Sequence, residues 1–136
     1  METSDARSFL ENNHRAVLVT RGPRDRIQTS PITVGIDTEG RAVISSRETA
    51  YKVKNIERNP NVTLCVINDR FFGDWMQIEG PAEIVRLPEA MEGLVDYYRR
   101  ISGEHPDWDD YRAAMERDRR VLLRIEIHHA GPDRKG

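Results

Sequence analysis

The sequence predicts a mainly β fold, in which six short antiparallel strands form a barrel or a sandwich and helices flank them. Three observations lead to this prediction. Short apolar runs rich in Val and Ile recur along the chain, turn residues separate them, and helical patterns are confined to four stretches. The chain has 136 residues, so we expect a single domain over residues 1–136.

The predicted strands share an apolar composition and end at turn or helix signals. They cover residues 16–20, 27–36, 42–45, 61–68, 75–84 and 121–128. Pro31 interrupts the second strand. Because proline cannot donate to a ladder, it predicts a bulge, a sheet edge or a point where the strand opens. Gly80 and Pro81 predict a bend or a bulge in the fifth strand.

Helical periodicity and capping residues predict four helices. They cover residues 4–13, 49–59, 88–101 and 106–117. Ser4 and Thr49 are N-cap candidates, because their hydroxyls can accept from free N–H groups. Pro60 ends the second helix, and Pro88 suits the first turn of the third. The tail, residues 130–136, shows no such pattern and is expected to be loose.

Composition argues against several functional classes. The formal net charge is −2 and the pI is about 6.1, so no basic field points to nucleic acid or to an anionic membrane. Residues 1–12 carry no apolar signal-peptide core, and no stretch is long enough to cross a bilayer. Cys65 is the single cysteine, which excludes a disulfide within the chain. We therefore expect a cytoplasmic protein.

The sequence contains no pattern typical of a metal site or a hydrolase. The four histidines lack ligand spacing, and the adjacent His128 and His129 would point to opposite faces of a strand. We expect no metal site. The chain also lacks a GxSxG elbow, a GxGxxG fingerprint and a Walker motif. No catalytic residue can be assigned from these patterns.

The segment 45–55 carries the clearest chemical signal. It leaves the third strand and enters the second helix, and it brings Ser45, Ser46, Lys52 and Lys54 close to a helix N-terminus. Free backbone N–H groups and these side chains favour an anion such as a phosphate. A capped amphipathic helix with a solvated charged face explains the same residues, and it is the commoner case when they are taken alone.

The second strand offers another candidate site. Its Gln28, Thr29 and Ser30 precede Pro31, and a strand broken at proline leaves backbone donors and acceptors free to meet a planar heterocycle. An ordinary bulge is the simpler interpretation of these residues taken alone.

Five stretches, in this order, carry a family resemblance. They are Ala-Val-Leu-Val-Thr at 16–20, Gln-Thr-Ser-Pro at 28–31, Lys-Val-Lys-Asn-Ile-Glu-Arg-Asn-Pro at 52–60, Ile-Glu-Gly-Pro-Ala at 78–82, and Gly-Glu-His-Pro-Asp-Trp-Asp-Asp-Tyr at 103–111 with Asp-Arg-Arg-Val-Leu-Leu at 118–123. Together they make the chain resemble the split-barrel flavin-binding superfamily of pyridoxamine 5'-phosphate oxidase. The fifth stretch resembles the actinobacterial branch that uses the deazaflavin coenzyme F420.

The resemblance implies a six-stranded antiparallel split β-barrel of the FMN-binding type, with flanking helices. It also implies a homodimer with two equivalent cofactor sites between the subunits. The implied activity is that of an F420-dependent oxidoreductase, which transfers a hydride from the reduced deazaflavin to a small organic acceptor. Two alternatives stay open, namely FMN in the same slot and a non-catalytic carrier of F420 or flavin.

The resemblance also implies which residues bind the cofactor. Lys52 matches the phosphate-binding lysine, with Ser45 and Ser46 near the same group. Lys54 and Asn55 match the same anion pocket, Gln28, Ser30 and Pro31 match the strand beside the ring system, and Trp75 matches an aromatic residue from the second subunit. The deazaflavin tail carries carboxylates, which could meet arginines in predicted turns or leave them as a solvated rim. Those arginines are Arg21, Arg24, Arg26 and Arg70.

Overall fold

The computed structural model of the protein describes residues 2–132 and 134–135. Antiparallel strands in this part of the chain form a sheet with helices packed on it. The strands are β1 (Arg15–Arg21), β2 (Ile27–Thr33), β3 (Gly35–Ile36), β4 (Ala42–Arg47), β5 (Asn61–Ile67), β6 (Asp74–Val85), β7 (Arg120–Ile125), β8 (His129–Ala130) and β9 (Arg134–Lys135). The mainly β split-barrel fold with flanking helices, predicted from the sequence, is confirmed, but the described residues form nine strands instead of the six predicted.

The sheet follows the order β2-β1-β5-β6-β7-β4-β3. Its two ends, β2 and β3, are consecutive in the chain and are separated only by Val34. The sheet must therefore curl until its ends meet. Val34 is fully buried, and its N–H donates to the carbonyl of His14 at 2.8 Å. The edges of β2 and β4 approach each other beside this junction without forming a ladder, and this gap is the split in the barrel.

Strand β6 changes partner halfway along its length. Residues 75–81 pair with β5, whereas residues 82–85 pair with β7. Gly80 lies just before this change of partner. A Cβ there would lie 1.6 Å from the carbonyl oxygen of Glu126. Only glycine lets the chain after β7 cross β6 this closely. The bend predicted at Gly80 and Pro81 therefore has a physical basis in this crossing.

Two predictions about the strands need correction. The predicted strand 27–36 is split at Val34 and not at Pro31, which pairs with Val17 inside β2. As an edge strand, β2 tolerates proline because one row of its N–H groups needs no partner. The tail from residue 130 was expected to be loose. Instead β8 and β9 pair with residues 74–79 of β6, the part of that strand that β7 leaves uncovered. Met1, Asp133 and Gly136 lie outside the described residues.

In the part of the chain that the structure describes, four α-helices occupy the predicted regions with shifted ends. They are α1 (Thr3–Leu10), α2 (Tyr51–Arg58), α3 (Met91–Ser102) and α4 (Trp108–Arg117). Helix α2 begins after Ala50 and has no side-chain cap, so the predicted Thr49 cap is wrong. Helix α4 is capped by Asp107, whose carboxylate accepts from the N–H of Asp110 at 3.1 Å.

Two apolar clusters hold these elements together. The larger fills the barrel and includes Leu18, Ile44, Leu64, Ile78 and Leu123, none of which is exposed. The smaller packs α3 and α4 on the outer face of β4 and β7, and consists of Val43, Ala90, Leu94, Val95, Tyr111 and Leu122. It brings the two helices to the split between β2 and β4. Within the described residues, no helix is long and apolar enough to cross a membrane.

Candidate active site

A cavity of about 640 Å³ lies at the split in the barrel. Its lining comes from six elements of secondary structure. The lining residues are Pro31, Ile32 and Thr33 from β2, Ser45 from β4, Lys52 from α2, Tyr97 and Tyr98 from α3, Tyr111 and Met115 from α4, and Arg120 from β7. One end of this cavity is basic, and its helical wall is aromatic.

Lys52 lies in the first turn of α2. Val53 and Ile56 of the same helix are buried in the barrel, so Lys52 is held on a flank of α2, where its side chain is half-buried. Burial lowers the pKa of its ammonium group, and the positive charge of Arg120 lowers it further. The cavity thus holds two cations that repel one another.

Arg120 is the first residue of β7 and lies opposite Arg47 of β4. Its Nε is buried and has no hydrogen-bond partner. In the described part of the chain, neither Arg120 nor Lys52 belongs to a salt bridge. A buried donor without a partner costs free energy. Lys52 and Arg120 both line the cavity, so an anion bound there would neutralise their charges. The donor set therefore fits a phosphate group.

The two predicted serines lie on opposite faces of β4. Ser45 lines the cavity beside Lys52. Ser46 is 1% exposed, and its hydroxyl donates to the carbonyl of Arg47 at 3.1 Å. This separation follows from the alternation of side chains along a strand. Of the two hydroxyls, that of Ser45 is the one placed to meet a bound anion.

Tyr97 and Tyr111 line the cavity, and each donates its hydroxyl proton to a backbone carbonyl. Tyr111 donates to the carbonyl of Leu94 at 2.8 Å, and burial raises the pKa of Tyr111 to about 12. Tyr97 donates to the carbonyl of Thr33 at 2.9 Å. A ligand in the cavity would therefore meet aromatic rings, whereas these two hydroxyl protons are already donated to the backbone.

A second cavity, of about 370 Å³, adjoins the same strand and helix. It is lined by Gly22, Pro23, Arg24, Arg26, Ile27, Gln28, Tyr51 and Asn55. Tyr51 precedes Lys52 on α2, and Gln28 shares β2 with Pro31, so both cavities are lined by residues of the same strand and helix. Ile27 and Tyr51 are exposed here, which gives this cavity an apolar rim between arginines.

Asn55, Gln28 and Ser30 belong to one hydrogen-bond network. The Asn55 amide donates to the hydroxyl of Thr20 at 3.1 Å and to the Gln28 carbonyl oxygen at 3.4 Å. The Gln28 amide donates to the Ser30 hydroxyl at 3.0 Å. Asn55 is 5% exposed. The network ties α2 to β1 and β2, and it fixes the Gln28 side chain beside the second cavity.

Lys54 and Trp75 lie outside both cavities. Lys54 is exposed on α2. Trp75 is half-buried in β6, where it lies opposite Ile67 of β5. The structure thus brings Ser45, Lys52 and Pro31 to the first cavity, and Gln28 and Asn55 to the second. Ser30 joins them through the hydrogen bond to Gln28.

Residues 3–131 match the sequence profile described as pyridoxamine 5'-phosphate oxidase. The chain belongs to the pyridoxamine 5'-phosphate oxidase family. The resemblance stated from the sequence is thereby confirmed, and the cavity at the barrel split is the site to examine in a family whose fold typically binds flavin.

Solved structures share the fold of this pyridoxamine 5'-phosphate oxidase family member. A conserved hypothetical protein from Mycobacterium tuberculosis has a TM-score of 0.77 and 22% identity, over 96% of this chain and 82% of that one. An F420 reductase has a TM-score of 0.70 and 21% identity, over 91% and 94%. A heme storage protein from Vibrio cholerae has a TM-score of 0.73 and 16% identity, over 98% and 95%. At these identities the likeness establishes the fold.

Sequence reasoning did not select three residues that line this family member's cavity, namely Arg120, Tyr97 and Tyr111. They come from β7, α3 and α4, and only tertiary packing brings them to the split. Arg120 did occur in the quoted stretch 118–123. An arginine at the entry of the apolar run Val-Leu-Leu was the available signal, because such a position is usually half-buried.

Proposed function

We propose that the protein is an oxidoreductase that binds the deazaflavin coenzyme F420 and reduces a small organic molecule with it. The observation that carries the proposal is the pair of cations in the first cavity, Lys52 and Arg120, which no carboxylate of the described residues neutralises. A phosphate supplies the missing charge. The fold shared with an F420 reductase supports the choice of cofactor.

In this proposal the residues of the first cavity hold the phosphate of the cofactor. Lys52 and Arg120 provide the charge, and Ser45 provides a hydroxyl donor. The arrangement resembles other phosphate sites in that a helix N-terminus, here that of α2, stands beside the donors. Burial of Lys52 strengthens the attraction, because a partly desolvated charge is less screened by water.

The second cavity and the adjoining strand would orient the rest of the cofactor. The side chains of Gln28 and Asn55 are fixed by their shared hydrogen bonds, so they meet a ring without losing freedom on binding. Arg24 and Arg26 line the same cavity and would attract the carboxylates of the tail. When bound and reduced, F420 supplies a hydride to the acceptor.

We further infer a homodimer with the cofactor site between subunits, built from a single domain over residues 1–136 and working in the cytoplasm. The cavity is open on one side of a single subunit, and a second subunit would complete it. Trp75 and the exposed Lys54 lie away from the cavity of their own subunit. In this inference their contribution is made across the dimer interface.

FMN is a second candidate for the same slot, because two adjacent cations also suit a phosphate monoester, which carries up to two negative charges. The two cofactors are separated by titrating the purified protein with each and following fluorescence. We expect saturable binding of F420, at least about tenfold tighter than that of FMN. Tighter binding of FMN would show that FMN, and not F420, is the cofactor. If neither bound, the proposed function would be wrong.

Turnover separates an enzyme from a carrier. Reduced F420 is mixed with the protein under anaerobic conditions and offered quinones and compounds with electron-poor double bonds. We expect the absorbance of oxidised F420 to appear with at least one acceptor and not without protein. Tight binding with no turnover across the panel would indicate a carrier and contradict the oxidoreductase assignment.

A further inference from the structure

The side chain of Tyr97 spans the split in the barrel. Its hydroxyl donates to the carbonyl of Thr33 on β2 at 2.9 Å. The same hydroxyl lies close to the backbone N–H of Ser45 on β4, which lowers the pKa of Tyr97 against the effect of burial. Strands β2 and β4 do not pair with one another. Tyr97 belongs to α3, which packs on β4, so its hydrogen bond to Thr33 bridges two strand edges that no backbone ladder joins.

The ring of Tyr97 is held in place from the outer side of the sheet. Helix α3 packs its buried Leu94 and Val95 onto the outer apolar cluster. A Cβ at Gly35 would lie 3.0 Å from Ile101 and 3.6 Å from the Tyr97 ring. The missing side chain at Gly35 thus lets α3 approach the junction of β2 and β3. The packing of α3 therefore places the Tyr97 hydroxyl at the split.

The backbone groups on the two sides of the Tyr97 hydroxyl, those of Thr33 and Ser45, belong to residues lining the first cavity. Thr33 follows Pro31 on one edge, Ser45 stands beside Lys52 on the other, and Arg120 lies close enough for its charge to act on the Tyr97 hydroxyl. A change in the width of the split would therefore move Ser45 relative to Pro31. The distance between strand β2 and the anion donors Ser45 and Lys52 therefore depends on Tyr97.

We propose that Tyr97 is a positioning residue, which sets the width of the split and thereby the geometry of the cofactor site. This role rests on the proposed function. It does not require Tyr97 itself to contact the cofactor. The hydroxyl is unsuited to proton donation, because burial raises the pKa of Tyr97 and its proton is given to the carbonyl of Thr33.

The first test is made on the cofactor-free protein. Tyr97→Phe keeps the ring and removes the bridge. We expect the amide proton of Ser45 to exchange at least about tenfold faster in this variant, as measured by hydrogen exchange. The control, Arg100→Gln, removes an exposed ion pair with Asp96 on the same helix and should leave Ser45 unchanged. Unchanged exchange in Tyr97→Phe would overturn the bridge.

The second test measures binding of F420 and of inorganic pyrophosphate, with thermal unfolding followed in parallel. We expect Tyr97→Phe to bind both about tenfold more weakly, with the unfolding midpoint within a few degrees of the control's. Faster exchange with unchanged affinity would refute the positioning role. If the unsubstituted protein binds neither F420 nor FMN, the proposed function fails, while exchange and pyrophosphate binding still decide the role of Tyr97.

Discussion

Lys52 and Arg120 line one cavity as like charges. Burial lowers the pKa of the Lys52 ammonium, and the guanidinium of Arg120 lowers it further. Like charges brought together in a partly dry site oppose folding unless something neutralises them. An anion bound between them would relieve this repulsion.

Replacing Lys52 separates binding from stability. Lys52→Ala removes one charge from a repelling pair, so the free energy of unfolding of the cofactor-free protein should change little. Affinity for the cofactor should fall by about ten- to a hundredfold, because a charge-assisted hydrogen bond is commonly worth about 1.5–3 kcal/mol. Fluorescence titration and urea unfolding measure the two quantities. Arg117→Ala, which removes an exposed cation at the end of α4, is the control, and an equal loss of affinity there would contradict the assignment.

Arg120 should behave as a second anion ligand. Arg120→Met removes a buried Nε that has no partner, so we expect the cofactor-free protein to be as stable or more stable. Cofactor affinity should fall by about tenfold or more. Arg117→Met, at the exposed end of α4, is the matched control. Marked destabilisation with unchanged affinity would show that Arg120 serves the fold alone.

Binding should depend on pH through Lys52. Its pKa in the folded protein lies below the usual 10.5, so as the pH rises the cofactor-free protein loses this proton earlier than an unfolded chain does. The free energy of unfolding therefore rises over this pH range, because the folded protein no longer holds the buried, charged form of Lys52. Since the anion needs the protonated lysine, affinity should weaken as the pH passes the lowered pKa, by up to about tenfold per pH unit.

The control for this pH dependence is Lys52→Arg, because a guanidinium stays charged throughout the range. Dissociation constants measured from pH 7 to 10 should diverge between the two proteins at the alkaline end. Any titration of the ligand itself affects both proteins alike. Parallel profiles would exclude Lys52 as the titrating group.

Asn55 should contribute more to stability than its neighbour on α2. Asn55→Ala leaves the buried hydroxyl of Thr20 and the carbonyl oxygen of Gln28 without their shared donor. We expect a loss of about 1–3 kcal/mol in the free energy of unfolding. Lys54→Ala, one residue away and exposed, should change it by less than about 0.5 kcal/mol. Equal effects, measured by urea unfolding, would contradict the structural role of the network.

The sequence was informative wherever local chemistry decides the outcome. Lys52 and Ser45 flank a strand-to-helix turn, which predicts an anion site, and the structure brings both to one cavity. The same segment also predicts Ser46 as a site residue. Strand alternation then turns its side chain away from the cavity.

The remaining features depend on contacts between distant parts of the chain. Tyr97 and Arg120 reach the split only because α3 packs on β3 and β4, and because β7 pairs with β4. The tail from residue 130 pairs with β6 because β7 leaves part of that strand uncovered. The strand propensity of residues 130–136 does not predict this pairing, because the unpaired edge of β6 results from the arrangement of other strands.

A crystal structure of the protein with bound F420 tests the central claim most directly. We predict that the phosphate group of the cofactor lies within hydrogen-bond distance of Lys52 and Arg120, with Ser45 beside it. A phosphate found elsewhere on the surface, with these two cations still unneutralised, would contradict the account.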